Sequence, residues 1–152
     1  MSSSFWIRLG ALLGGLAVAL GALAAHGLEG YLEQLYAGQT RELLGHQIPA
    51  AEKYLGDFKT AATYQMYHAL AILVVGLLVD RCTCRNLQWA GWCFVAGTLL
   101  FSGCLYLLVL TGQRWLGMIV PIGGVLMIVG WILLAVASIR QTKERCVPAD
   151  QA

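Results

Sequence analysis

The stretch 58–79 constrains this chain most, because it is long and apolar enough to cross a lipid bilayer. Its first half nevertheless carries polar or amphipathic side chains at Thr60, Thr63, Tyr64, Gln65, Tyr67 and His68. A hydrocarbon solvent penalises unpaired polar groups. We therefore expect these side chains to face protein or enclosed water, with the other apolar segments packed around this stretch.

The composition indicates that the whole chain, and not only this stretch, belongs to a membrane protein. Of its 152 residues, 59% are hydrophobic and 12% are charged, whereas a soluble domain carries about 25% charged residues. The sequence predicts one all-α domain, a membrane-embedded bundle of four transmembrane helices. The predicted spans are 5–28, 58–79, 87–110 and 115–139, followed by a polar tail at 140–152.

The first span also resembles a secretory signal peptide, since Arg8 precedes an apolar run and Ala22-Leu23-Ala24 suits a signal peptidase. A row of small residues on one helical face favours a retained span, because it lets another helix approach closely. The row consists of Gly10, Gly14, Ala17 and Gly21. Further packing positions are predicted at Gly97, Gly103, Pro121, Gly123 and Gly124, with a kink or a short preceding helix at Pro121.

Residues 29–57 form a connection that is too long for a simple hairpin. Apolar side chains recur there at helical spacing, and the later group is Leu44, Ile48, Ala51, Tyr54, Leu55 and Phe58. We predict one or two amphipathic helices, with Pro49 in the first turn of the later one. Acidic residues outnumber basic ones in this stretch, which favours docking on the protein over docking on anionic lipid.

Basic residues predict the orientation of the bundle. With four spans, the N-terminus, the link between the second and third spans and the tail lie on one side of the membrane. That side carries six basic residues, Arg8, Arg81, Arg85, Arg140, Lys143 and Arg145, and the opposite side carries four, Arg41, Lys53, Lys59 and Arg114. This bias favours both termini in the cytoplasm.

Four phrases occur in order along the chain and resemble a known family: GALAAHGL at 21–28, YQMYHAL at 64–70, LFSGCLY at 100–106, and Gly117 followed by PIGG at 121–124. The family is that of small four-span bacterial inner-membrane proteins of unknown function, which has a small transmembrane relative in animals. The resemblance covers all four spans and implies an inner-membrane helical bundle. It implies no established reaction and no catalytic residue, and the connection at 29–57 is longer than it leads us to expect.

His68 lies about ten residues, or about 15 Å, into the second span, which is close to the bilayer middle. A histidine at that depth is a candidate proton carrier or ligand. The favoured alternative is a neutral imidazole hydrogen-bonded to a neighbouring helix. The candidate intramembrane polar cluster contains His26, Thr60, Tyr64, Gln65, Tyr67, His68, Ser102 and Tyr106.

No cofactor or metal site is predicted. His26 and His68 differ in depth by about 12 Å, so they are not expected to share a haem or metal. The spans contain no carboxylate, which argues against a di-iron centre. One residue separates Cys82 from Cys84, closer than zinc sites require, so reduced thiols, with Cys146, are favoured over a metal or lipid attachment.

Three functions stay open. The leading hypothesis is a non-enzymatic inner-membrane protein that packs with itself or with a larger membrane assembly. The second is a small-solute or proton pathway lined by Tyr64, Tyr67, His68 and Ser102. The third is a histidine-dependent cofactor carrier or enzyme, although a Ser102–His68 hydrolase would have no acidic residue to orient its base. The lipid bilayer is the predicted surrounding, and nucleic acid is not an expected partner because the chain has no basic stripe.

Overall fold

A computed structural model describes residues 1–43, 45–80 and 85–145. Its elements in chain order are α1 (Ser3–His26), α2 (Leu28–Leu35), β1 (Thr40–Leu43), β2 (His46–Pro49), α3 (Ala50–Val79), α4 (Arg85–Thr98), a π-helical segment (Leu99–Gly103), α5 (Cys104–Thr111), a 3-10 helix (Arg114–Met118) and α6 (Val120–Arg145). Four helical stretches are long and apolar enough to cross a membrane: Ser3–His26, Ala50–Val79, Arg85–Thr111 and Arg114–Ala137. The predicted all-α bundle of four transmembrane helices is confirmed, with one short hairpin added.

Helix α3 lies at the centre of the bundle. Half of its apolar window is buried, at 50%, against 17% for α1 and 22% for the fourth span. It contacts α1 on one side and α4, the π-helical segment and α5 on the other, while α6 packs on α4 and the π-helical segment. The other spans therefore pack around the stretch 58–79, as its sequence predicted.

Small residues allow the helices to approach closely. A Cβ added at Gly10 would lie 2.9 Å from the carbonyl oxygen of Ala69 on α3, and one at Gly14 would meet the Ala69 Cβ at 3.7 Å. Between the third and fourth spans, a Cβ at Gly123 would lie 2.5 Å from the backbone nitrogen of Phe101. Backbones can come this near because glycine has no side chain.

The predicted packing positions divide into two groups. Gly10, Gly14, Ala17, Gly97 and Gly123 lie against neighbouring helices, and a Cβ added at Gly124 would lie 3.9 Å from the ring of Phe101. The remaining three are placed elsewhere: Gly21 and Gly103 face open space, and Pro121 is exposed in the first turn of α6. Two further packing glycines, Gly76 and Gly91, were not predicted, and side chains of α1 pack against both.

The side chain received by Gly91 is that of Trp6, which is fully buried at 0% exposure. A Cβ at Gly91 would lie 2.6 Å from its indole ring, and the indole Nε1 donates a hydrogen bond of 3.1 Å to Gln88 Oε1 on α4. Trp6 therefore fixes the start of α1 to the start of the third span, at one end of the bundle.

The connection between the first two spans differs from its prediction. Helix α2 is the expected amphipathic helix, and the later predicted helix is present from Ala50 onward as the first turns of α3. The residues before it form a hairpin instead, in which Thr40 pairs with Pro49 and Leu43 with His46. Gly45 adopts a left-handed φ of 82° at the turn, a conformation that glycine takes without strain. Pro49 is the N-cap of α3, which begins at Ala50. The helix of the second span therefore begins before the predicted span of 58–79.

The connection docks on the bundle. Leu28 and Leu32 of α2 are buried with Tyr54, Phe58 and other residues of α3, α5 and the 3-10 helix in one apolar cluster. Within this cluster, the Tyr36 hydroxyl donates to the Val109 carbonyl oxygen at 2.8 Å. Burial raises the pKa of Tyr36, so the hydroxyl keeps the proton that this bond needs.

Other boundaries need smaller corrections. The third span is continuous but includes the π-helical segment, and the fourth is preceded by a short 3-10 helix, as expected from Pro121. The predicted polar tail at 140–152 is helical as far as Arg145. Cys82, Cys84 and Cys146, for which free thiols were predicted, lie outside the described residues.

Candidate functional site

Gln65 joins three spans near the middle of the bundle. Its Nε2 donates to the Leu13 carbonyl oxygen of α1 at 2.8 Å, and its Oε1 accepts from the Tyr106 hydroxyl of α5 at 3.0 Å. The bond to α1 is possible because Gly10 and Gly14 bring α1 close to α3. Gln65 is 3% exposed, so its amide is removed from lipid with both ends paired.

Ser102 ties the π-helical segment to α3. It is 1% exposed, and its Oγ donates to the Ala61 carbonyl oxygen at 2.8 Å. The wider i→i+5 turn of a π-helix changes the direction of the side chains around it. The two partners on α3, Ala61 and Gln65, lie one helical turn apart, and Ser102 and Tyr106 lie about one turn apart on the third span.

His68 links α3 to α6. Its Nδ1 lies 2.8 Å from the Tyr64 carbonyl oxygen, and its Nε2 lies 3.3 Å from the Trp131 Nε1. An indole N–H only donates and a carbonyl oxygen only accepts, so the pairing requires a neutral ring with its proton on Nδ1. Both ring nitrogens are then occupied, and the site has the geometry of a structural hydrogen bond.

The two threonines of this stretch are satisfied in another way. Thr60 and Thr63 are exposed, and their hydroxyls donate to the carbonyl oxygens of Gly56 and Lys59 at 2.9 Å each. A threonine in a helix can bond its own backbone one turn earlier. The expectation that both hydroxyls face the protein interior is therefore wrong, because the helix itself pairs them.

Tyr64 and Tyr67 also depart from the inward orientation that we expected. They are 42% and 56% exposed, and both rings line a groove at the bundle surface between α3 and α6. Tyr64 packs on Phe101, with ring centroids 4.9 Å apart. Tyr64 and Tyr67 therefore line the bundle surface, whereas Ser102 is enclosed beneath it.

The other histidines lie apart from this site. His26 is exposed at the end of α1, and His46 is exposed in β2. Among the described residues, no group of three or more His, Cys, Asp or Glu side chains could hold a metal ion.

Trp131 is the site residue that sequence reasoning missed. It packs edge-on against Phe94 and His68, and it forms part of the wall of the surface groove. Tryptophan in a membrane protein is enriched at the interfaces. A tryptophan well inside the fourth span was therefore a signal for a buried acceptor opposite its indole.

The sequence matches a known family model and several related membrane proteins. A family model described as a protein of unknown function, DUF423, matches residues 20–124. The chain belongs to this family. A UPF0382 membrane protein of Staphylococcus aureus is 44% identical over 135 residues, which cover 89% of this chain and 95% of the relative. No solved structure gives a significant match.

Other UPF0382 membrane proteins are similar over the same share of the chain. The protein of Staphylococcus saprophyticus is 42% identical and is covered over 97% of its length, and that of Staphylococcus haemolyticus is 39% identical with 95% covered. The DUF423 match and these names confirm the family resemblance carried by the four phrases. With four apolar helices, this DUF423 protein is an integral membrane protein of undefined activity, surrounded by a lipid bilayer.

The bond between Gln65 and Tyr106 can be tested with a double-mutant cycle of Gln65→Leu and Tyr106→Phe. We expect a coupling of about 0.6 kcal/mol in the free energy of unfolding, and at most about 1.7 kcal/mol, as for other intramembrane hydrogen bonds. The measurement is reversible unfolding of the reconstituted protein in mixed micelles. Thr63→Val is the control, since its hydroxyl bonds only its own helix, and additive single effects would show that the bond contributes nothing.

Proposed function

We propose that this protein is a non-enzymatic component of the bacterial inner membrane that associates with itself through the outer face of α1. Two properties of α1 support the proposal, its low burial within one chain and a second row of small residues. Both concern a surface that the bundle itself leaves open.

Helix α1 carries two rows of small residues on different faces. The row Gly10, Gly14 and Ala17 is filled by α3. The second row is exposed and consists of Ala11, Gly15, Ala19 and Ala22, spaced four, four and three residues apart. Nothing lies within 4 Å of a Cβ added at Gly15.

Small residues at this spacing allow two transmembrane helices to associate closely in lipid. Only 17% of the residues in the apolar window of α1 are buried, so a large part of the helix surface is available to another helix. The glycines at Gly10, Gly14, Gly97 and Gly123 are not available for association, because they already pack against helices of the same bundle. The open row on α1 is therefore the single observation that carries the proposal.

A solute or proton pathway is supported less well. Its four lining residues separate into two environments, since Tyr64 and Tyr67 face the surface groove while Ser102 is enclosed. Ser102 and His68 both use their polar atoms to join helices. A cofactor carrier would need a free histidine nitrogen at this depth, and the pairing of His68 with Trp131 and the Tyr64 carbonyl leaves none.

Self-association is tested with Gly15→Leu in the full-length protein. A leucine at this position separates the two α1 helices, so we expect dissociation to become easier by about tenfold or more. The mass of the protein in lipid nanodiscs or native detergent micelles gives the oligomeric state across a dilution series.

The matched control is Gly103→Leu, which makes the same change at another membrane position facing open space. It should keep the oligomeric state of the parent protein. A parent protein that is monomeric at every concentration, or a Gly15→Leu variant that dissociates like the parent, would refute association through α1.

The basic-residue bias supports a bundle with both termini in the cytoplasm, which puts α2 and the hairpin on the periplasmic side. In a cysteine-free background, Gly30→Cys on α2 and Ser2→Cys before α1 place one thiol at each end. We expect an impermeant maleimide added to intact spheroplasts to label the first and spare the second. Labelling of Ser2→Cys alone would reverse the orientation.

A further inference from the structure

A surface groove between α3 and α6 is an opening among the described residues that no role above explains. Its volume is about 510 Å³, within the range of roughly 300–1,000 Å³ that small-molecule sites occupy. Its walls are aromatic, formed by Tyr64, Tyr67, Phe101 and Trp131, and Gly124 leaves space on the α6 side. Phe101 belongs to the π-helical segment, a distortion that often occurs at functional sites.

The groove lies at the middle of the bilayer. Tyr67, Phe101 and Gly124 each fall within about 5 Å of the midpoint of the apolar segments 58–79, 87–110 and 115–139, at about 1.5 Å per residue, and Tyr64 falls within about 7 Å. Three spans give the same depth independently. The ester carbonyls of phospholipids lie at the edges of a hydrocarbon core about 30 Å thick, or about 15 Å from this level.

The tyrosine hydroxyls of the groove need an acceptor at that depth. Tyr64 and Tyr67 are 42% and 56% exposed, and neither hydroxyl has a hydrogen-bond partner within the described part of the chain. An unpaired hydroxyl in hydrocarbon is costly. Acyl chains carry no acceptor at mid-bilayer, so they cover the groove without pairing these groups.

We propose that the groove binds a membrane-soluble quinone, a flat ring with carbonyl acceptors on an isoprenoid tail. A quinone brings carbonyl oxygens into the hydrocarbon interior, where Tyr64 and Tyr67 can donate to them. Its ring packs against the aromatic walls, which favour offset or edge-on contact with another π-system. The tail lies along the aliphatic side of α6 at Met127 and Ile128.

The binding test uses the full-length protein in nanodiscs of quinone-free phospholipid, titrated with a benzoquinone that carries a ten-carbon tail. Trp131 lines the groove, so we expect a saturable loss of tryptophan fluorescence above the linear collisional quenching. Replacing both hydroxyls with Tyr64→Phe and Tyr67→Phe should weaken binding by about tenfold, since each hydrogen bond contributes about threefold or more. Gly124→Leu fills the groove and should remove the saturable phase.

The control Val125→Leu changes the neighbouring exposed position of α6 and should leave binding unchanged. Decylbenzene, which has a ring and tail but no carbonyl, should not compete. Equal binding by the double tyrosine variant, or equal competition by decylbenzene, would overturn the proposal in favour of an unspecific acyl-chain crevice.

Absence of a saturable phase in the parent protein would also overturn the proposal. If Gly124→Leu then changed the oligomeric mass, the groove would be a contact with a second copy. The inference is independent of association through α1, because Gly15→Leu lies on another surface and should retain quinone binding. Thermal unfolding of each variant shows whether lost binding reflects lost folding.

Discussion

The bundle depends on one constraint: the polar side chains of α3 must form hydrogen bonds within the protein, because the surrounding hydrocarbon offers no partners. Gln65 bonds α1 and α5, Ser102 reaches back to the Ala61 carbonyl, and His68 accepts from Trp131 on α6. Every other span is thus tied to α3 by at least one hydrogen bond. In hydrocarbon, the alternative to each bond is an unsatisfied polar group, so these bonds select one arrangement of helices.

The central position of α3 also explains which surfaces the bundle leaves open. Helix α3 fills the interior of the bundle, where its polar groups are paired and glycines of α1 pack against it. Two of the surfaces left open are the outer face of α1 and the aromatic groove beside α6. Both surfaces face lipid, and they are the ones on which we propose self-association and quinone binding.

The fold could be predicted from the sequence because apolar length and composition determine which segments span a bilayer. The site could be predicted only in part. Tyr64 and His68 share a helical face by spacing, yet they are 42% and 4% exposed, and the rings of Phe94 and Trp131 pack against His68. The hairpin was missed because a four-residue spacing such as Leu44 to Ile48 suits a helix, while the left-handed turn at Gly45 depends on three-dimensional context.

The most direct test of the central claim is nitrogen-15 NMR of His68 in lipid nanodiscs at neutral pH. His26→Gln and His46→Gln replace the two exposed histidines and leave His68 as the single labelled ring. The structure predicts a neutral imidazole with its proton on Nδ1 and with Nε2 accepting the Trp131 indole hydrogen. A proton on Nε2, or a doubly protonated ring, would contradict the inward pairing on which the bundle rests.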